Sequence, residues 1–216
     1  MDSTSRHNQG WLVRIDKVAQ EHLADSVSPY HKVRSSTIVQ RIGNGNRLSV
    51  VDVGCGYGLT LRGLAERGHD CFGCDISSDL VSYHRANSPW AQFRVSQIGR
   101  PLPFEDGQFD VAILAEVVEH CYDVAALLEA VKRCLKRPGG RLIVTTPYHA
   151  AVKCLALIVS GRYDTHFDPR GQHIRFFTVK SLSMMLHECG FRVNFWKGIG
   201  RCPCLYKSML LDCVVE

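Results

Sequence analysis

At 216 residues the chain is one good-sized domain or one domain with a small appendage, since roughly 150 residues is the usual measure of a domain. Hydrophobic residues at 45% and charged residues at 22% exclude disordered, coiled-coil and collagen-like chains. Lys and Arg number 26 against 21 Asp and Glu, leaving a charge of +5. That excess suits an anionic ligand but lacks the clustered stripe of a dedicated nucleic-acid binder, so nucleic acid is not favoured as a partner.

The opening Met1 to Gly10 is polar, and Arg14, Asp16 and Lys17 interrupt the next stretch, so no secretory signal is expected. Trp11, Ile15, Val18 and Ala19 keep the spacing of an apolar helix face. A second helix is expected from about Pro29 to Ile42, ended by Gly43-Asn44-Gly45. From Arg47 the pattern changes to short apolar runs alternating with amphipathic segments. The runs expected as strands are Leu48–Val53, Asp70–Asp75, Gln92–Val95, Phe109–Leu114, Arg141–Thr146, Arg192–Trp196 and Ser208–Val214. Between them, Val124, Leu127, Leu128, Val131 and Leu135 line a helix face with Asp123 as N-cap, and Leu182, Met185, Leu186 and Cys189 line another between Thr178 and Gly190. The fold class is therefore α/β: a Rossmann-like, seven-stranded, mostly parallel sheet with helices on both faces. Residues 47–216 form the domain, and residues 1–46 are its N-terminal helical cap.

Ten cysteines suggest a disulfide framework until their places are read. Cys71, Cys74, Cys121, Cys134, Cys154 and Cys189 fall in apolar runs and Cys55 in a glycine turn, where a reduced thiol acts as a small hydrophobe. A cytoplasmic location is expected. No stretch reaches the roughly 18 to 20 apolar residues of a membrane span. The longest, Ala150 to Val159, contains Lys153 and is read as a core-packed helix, with peripheral membrane contact as the alternative.

Two motifs carry the chemistry. In Val51-Asp52-Val53-Gly54-Cys55-Gly56-Tyr57-Gly58, an apolar strand runs into alternate glycines, which lets a ligand lie against the backbone at the strand's carboxyl end. A dinucleotide fingerprint needs its third glycine where Leu59 stands. In Cys71-Phe72-Gly73-Cys74-Asp75, a second strand ends in a carboxylate able to accept both hydroxyls of a ribose, although an N-cap role would explain Asp75 alone.

At these residues the chain resembles the class I S-adenosylmethionine-dependent methyltransferases, in the branch of the ubiquinone-biosynthesis O-methyltransferases and small-molecule methylases. Further matching stretches are Leu102-Pro103-Phe104 to Phe109-Asp110-Val111, Glu116-Val117-Val118-Glu119-His120 and Leu135 to Gly140. The resemblance covers about Arg47 to Val214 and implies S-adenosylmethionine as cofactor. It implies that the turn of Asp52, Gly54, Cys55 and Gly56 cradles the methionine half, that Asp75 holds the ribose, and that Ile76 packs on the adenine. By the resemblance to metal-free relatives, Glu116 is expected to close the cofactor pocket. Where relatives carry an acid toward the adenine amino group, this chain reads Ser96-Gln97-Ile98, and Gln97 accepts through its amide oxygen instead.

A sulfonium methyl is already activated, so the protein mainly aligns nucleophile, carbon and sulfur and removes a proton from a hydroxyl acceptor. His120 or His173 is the candidate base. Relatives with a Glu-x-x-Glu-His block and a downstream His hold a divalent cation, which implies Glu116, Glu119, His120 and His173 as candidate ligands for an ion such as Mg²⁺. Otherwise Glu119 and His120 cap the next helix. Residues 147–175 are rich in aromatic, His, Arg and Asp side chains and read as a substrate lid, with Tyr148, Tyr163, His166 and Arg175 facing the acceptor. The expected activity is methyl transfer to a small-molecule hydroxyl. An RNA 2′-O-methyltransferase and a non-catalytic, cofactor-binding partner subunit are the alternatives.

Overall fold

The computed structural model describes residues 28–216; the helix read from Trp11 to Ala19 lies outside them. Helix α1, Pro29–Ile42, has the expected bounds: Ser28 caps it, proline opens it, and Gly43 ends it at φ 91°. Next come β1 Ser49–Val53, α2 Leu59–Ala65, β2 Asp70–Asp75, α3 Ser78–Asn87, β3 Ala91–Val95, β4 Val111–Ala115, α4 Val124–Cys134 and β5 Arg141–Pro147. The chain closes with α5 Ala151–Val159, the single turn α6 Tyr163–His166, α7 Val179–Glu188, β6 Phe191–Ile199 and β7 Ser208–Val215.

The seven strands form one sheet in the order β3-β2-β1-β4-β5-β7-β6. Five are parallel, and β7 runs antiparallel to both β5 and β6. All seven expected strands are present. Phe109 stands apart from β4, in an isolated parallel bridge to Leu135, and β6 runs three residues past the expected Trp196 with a bulge at Val193/Phe195.

Two cores sandwich the sheet. On one face Val124, Leu128 and Val131 of α4 and Leu182 and Leu186 of α7 pack with Phe109, Leu142 and Leu211. Asp123 caps α4 by accepting from Ala126 N at 2.9 Å, and Thr178 forms a capping box with Ser181 on α7. On the other face Ile38, Val39 and Ile42 of α1 meet Leu61, Leu64, Val50 and Ile113. The buried Asp212 of β7 accepts from Arg41 Nε at 2.6 Å and from Arg141 Nη2 at 2.9 Å, which fixes α1 over the sheet. This anchoring carries the start of α1 to the edge where the parallel strands end.

Core packing does not account for α5. Its only buried residue is Lys153, while Val152, Leu155, Ile158 and Val159 are exposed. In a segment apolar on every side, periodicity cannot say which face turns inward, and here the lysine does. All ten cysteines are free thiols, with Cys202 and Cys204 exposed in the turn before β7. Among the described residues no helix is long and apolar enough to cross a membrane.

Candidate active site

The glycine turn leaves β1 at the sheet's carboxyl edge. Gly54 and Cys55 donate to the Cys74 carbonyl at 2.8 and 3.1 Å, pinning the turn against β2. Gly54, Gly56 and Gly58 all have positive φ, the region that glycine enters at least cost. The three are not equivalent. A Cβ on Gly54 would lie 2.8 Å from Val117 Cγ2, whereas one on Gly56 would project into open space. Gly56 thus fronts the room where a ligand can lie.

Asp75 ties the two motifs together. Its Oδ2 accepts from Gly56 N and its Oδ1 from Ser77 N, both at 3.0 Å. Asp52 is 2% exposed and its Oδ1 has no hydrogen-bond partner. Burial, with Asp75 adding and Arg34 opposing, pushes its carboxyl up to about 7. Ile76 and Ile98, at the ends of the neighbouring strands β2 and β3, are 37% and 67% exposed, and Gln97 is exposed beside them. A carboxylate flanked by open apolar side chains fits a nucleoside, and an orphaned acid beside open glycine backbone fits the polar half of the cofactor.

Further along the edge, Glu116 adopts φ 59°, which is uncommon without a glycine. Ser208 Oγ lies 3.0 and 3.1 Å from its two oxygens and Arg34 Nη1 3.8 Å away. Tyr30 Oη in turn donates to Ser208 Oγ. Glu116 is therefore engaged by α1 and β7 and stands outside the cluster formed by the rest of its block.

In that cluster Glu119, His120 and His173 offer ligand atoms that all lie within 4.8 Å of one another. Glu119 is fully buried; Thr146 Oγ1 donates to Oε2 at 2.9 Å, while Oε1 has no hydrogen-bond partner. Burial, then the charge of Glu116, raises its carboxyl to about 8. His120 Nδ1 lies 2.9 Å from the Gln172 carbonyl, to which it donates, and its Nε2 lies 4.0 Å from Glu119 Oε1. The distant loop is delivered by backbone: Ile174 N and Arg175 N both donate to the Glu119 carbonyl, at 2.9 and 3.1 Å. His173 consequently packs edge-on against His120, ring centroids 4.9 Å apart. Burial lowers His120, and burial followed by the charges of His120 and His166 lowers His173 to about 4.

A cavity of about 560 Å³ opens at the same edge, lined by Glu116, Pro147, Lys153, His166, His173 and Ser208 among others. Of the lid residues read from sequence, His166 and His173 reach it. Tyr148 instead packs edge-on against Tyr206, and Tyr163 lies tilted against Phe167. Arg175 donates to the Cys121 carbonyl at 2.8 Å and to that of Tyr122, holding the His173 loop in place. Sequence reasoning missed Tyr30, Lys153, Arg201 and Lys207 in the lining. For Tyr30 and Arg34 the signal was present as an i, i+4 pair on α1.

A glycine turn, a strand-tip carboxylate and a cavity at the carboxyl edge of such a sheet define an S-adenosylmethionine-dependent methyltransferase. The chain belongs to the methyltransferase domain family, which matches residues 27–194. It is 31% identical over 159 residues to the ubiquinone biosynthesis O-methyltransferase of Methylococcus capsulatus, covering 71% of this chain and 67% of that one. The protein of the same name from Pseudomonas aeruginosa is 28% identical over 178 residues, covering 77% and 75%. Among solved structures, magnesium protoporphyrin IX methyltransferase from Synechocystis PCC 6803 with bound S-adenosylhomocysteine superposes with TM-score 0.74 at 19% identity over all of both chains. The 1,6-didemethyltoxoflavin-N1-methyltransferase of Burkholderia thailandensis gives 0.68 at 16% identity, covering 97% and 90%. At such identities these two likenesses concern the fold.

Proposed function

We propose that the protein methylates a hydroxyl oxygen of a small-molecule acceptor held in the cavity above β4, β5 and β7. The observation that carries this reading is the Glu119, His120 and His173 cluster beside that cavity, which places two neutral imidazoles where a hydroxyl must lose its proton. Asp52, Gly54, Cys55 and Gly56 hold the methionine half of the cofactor, Asp75 its ribose, and Ile76, Gln97 and Ile98 its adenine. Glu116, stiffened by Ser208 and Arg34, separates cofactor from acceptor. Helix α1, the described part of the expected N-terminal cap, and the 147–175 segment cover the acceptor.

His120 and His173 are held neutral by burial and accept the hydroxyl proton through a ring nitrogen. The orphaned Glu119 Oε1 and two imidazole nitrogens also fit a divalent cation as Glu119, His120 and His173, with Glu116 left out of the set. Two nitrogens and one oxygen suit Mn²⁺, Co²⁺ or Zn²⁺ better than Mg²⁺. When bound, such an ion lowers the pKa of a coordinated hydroxyl. The test is S-adenosylhomocysteine formation across a panel of catechols, phenols and amines, with and without chelator. Turnover confined to amine acceptors would refute O-methylation, and turnover indifferent to chelator would refute the cation.

A further inference from the structure

The cavity's charges are one-sided. Lys153, Arg162, Arg201 and Lys207 line it, and the single acid among the lining residues is Glu116, already engaged by Arg34 and Ser208. None of the four basic side chains forms an ion pair with a carboxylate among the described residues. Lys153 is the telling one. It is 6% exposed, and its Nζ donates to the Tyr148 carbonyl at 2.6 Å. A backbone carbonyl supplies a hydrogen bond but no neutralising charge, and a buried ammonium without a counter-charge is costly. Glu116 reaches Lys153 only through space, while Arg201 opposes its charge. The neighbouring rings feel the same field: after burial, Lys153 and Arg201 are the groups that depress His166. Arg201 itself sits at φ 55°, in the left-handed region, directly after Gly200 at φ 67°.

We propose that the acceptor carries an anionic group, a carboxylate or phosphate, which binds in this cavity with Lys153 as its buried counter-ion and Arg162, Arg201 and Lys207 around it. The inference rests on the reading of this cavity as the acceptor site and names the chemical class of what fills it. The anionic group anchors the molecule over β5 and β7, and its hydroxyl then falls toward Glu116, His120 and His173. A neutral acceptor of the same shape would leave Lys153 without a counter-charge.

Two probes of matched size separate charge from shape: 4-hydroxybenzoate and 4-hydroxybenzyl alcohol. Their binding is measured by calorimetry on the full chain, with and without saturating S-adenosylhomocysteine. The benzoate is expected to bind at least about tenfold tighter than the alcohol. Lys153→Met, which keeps the apolar stem, should erase that preference, and Arg201→Gln, in an exposed turn, should reduce it without disturbing the core. Equal binding of the two probes would overturn the proposal, as would a preference that survives both substitutions or a benzoate that does not saturate. Binding to phosphatidylglycerol vesicles without binding of the benzoate would also overturn it and reassign the cations to a lipid surface. Titration of the cofactor-free protein keeps the result separate from methyl transfer: a protein that binds the benzoate but methylates no hydroxyl would fail the O-methylation reading and not this one.

Discussion

Asp52 offers a prediction in which stability and function move in opposite directions. It occupies the middle of β1, in register between Gly73 of β2 and Ile113 of β4. Its carboxyl is raised from an ordinary 3.8 to about 7, chiefly by burial. Between those two values the unfolded chain holds fewer protons than the folded one, so folding stability falls as pH rises. The full stability is present below pH 3.8, and the loss is complete above about pH 7. At about 1.4 kcal/mol per pKa unit, that shift is of order 4 kcal/mol. Asp52→Asn abolishes the ionisation and should leave the variant more stable than the parent at pH 8 but hardly different at pH 4. A chain of this size gains roughly 2–4 °C in Tm per kcal/mol, so thermal melts followed by circular dichroism at pH 4, 6 and 8 will show the gap opening. The same variant should bind S-adenosylmethionine more weakly, because on the proposed reading of the site the charge offered to the ligand is the one that destabilises the empty protein. Melting curves for parent and variant that stay parallel across this range would refute the reasoning.

Asp75→Ala should weaken S-adenosylhomocysteine binding by about 2 kcal/mol, roughly thirtyfold, since a charge-assisted hydrogen bond is lost; calorimetry reads it, and unchanged affinity removes Asp75 from the site. Gly54→Ala forces a Cβ to 2.8 Å from Val117 at φ 77° and should cost about 1–3 kcal/mol of stability in denaturant unfolding. Arg175→Gln should leave S-adenosylhomocysteine affinity unchanged while slowing methyl transfer, because the guanidinium holds the loop carrying His173; an unchanged rate would show that backbone bonds to Glu119 suffice.

The sheet was legible in the sequence because each strand is a short apolar run bounded by turn residues, and α1 because proline and glycine mark its ends. The placement of Gly54, Gly56 and Asp75 at the sheet's carboxyl edge was legible for a related reason: they sit at fixed offsets from strands, so local sequence places them. The cavity joins distant segments. Tyr30, Glu116, Lys153, His173 and Ser208 meet only after folding, and nothing at Lys153 alone separates a buried ammonium from a solvated one. The core reading of α5 failed on the same limit, since its apolar residues surround the helix and do not select a face. The grouping of His173 with Glu119 and His120 was anticipated from resemblance, but what delivers His173 is a pair of backbone bonds that no side-chain pattern encodes.

The position of β7 has a consequence for dynamics. Strand β6 reaches the sheet only through β7, and the first residue of β7 is Ser208, which holds Glu116 and Tyr30. The β6–β7 hairpin is thus both an outer unit of the sheet and a wall of the cavity. Whatever fills that cavity stabilises the docked hairpin against local opening, and the gain should appear as slowed amide exchange along residues 191–198 and 209–215, beyond the lining residues Arg201, Leu205, Lys207 and Ser208.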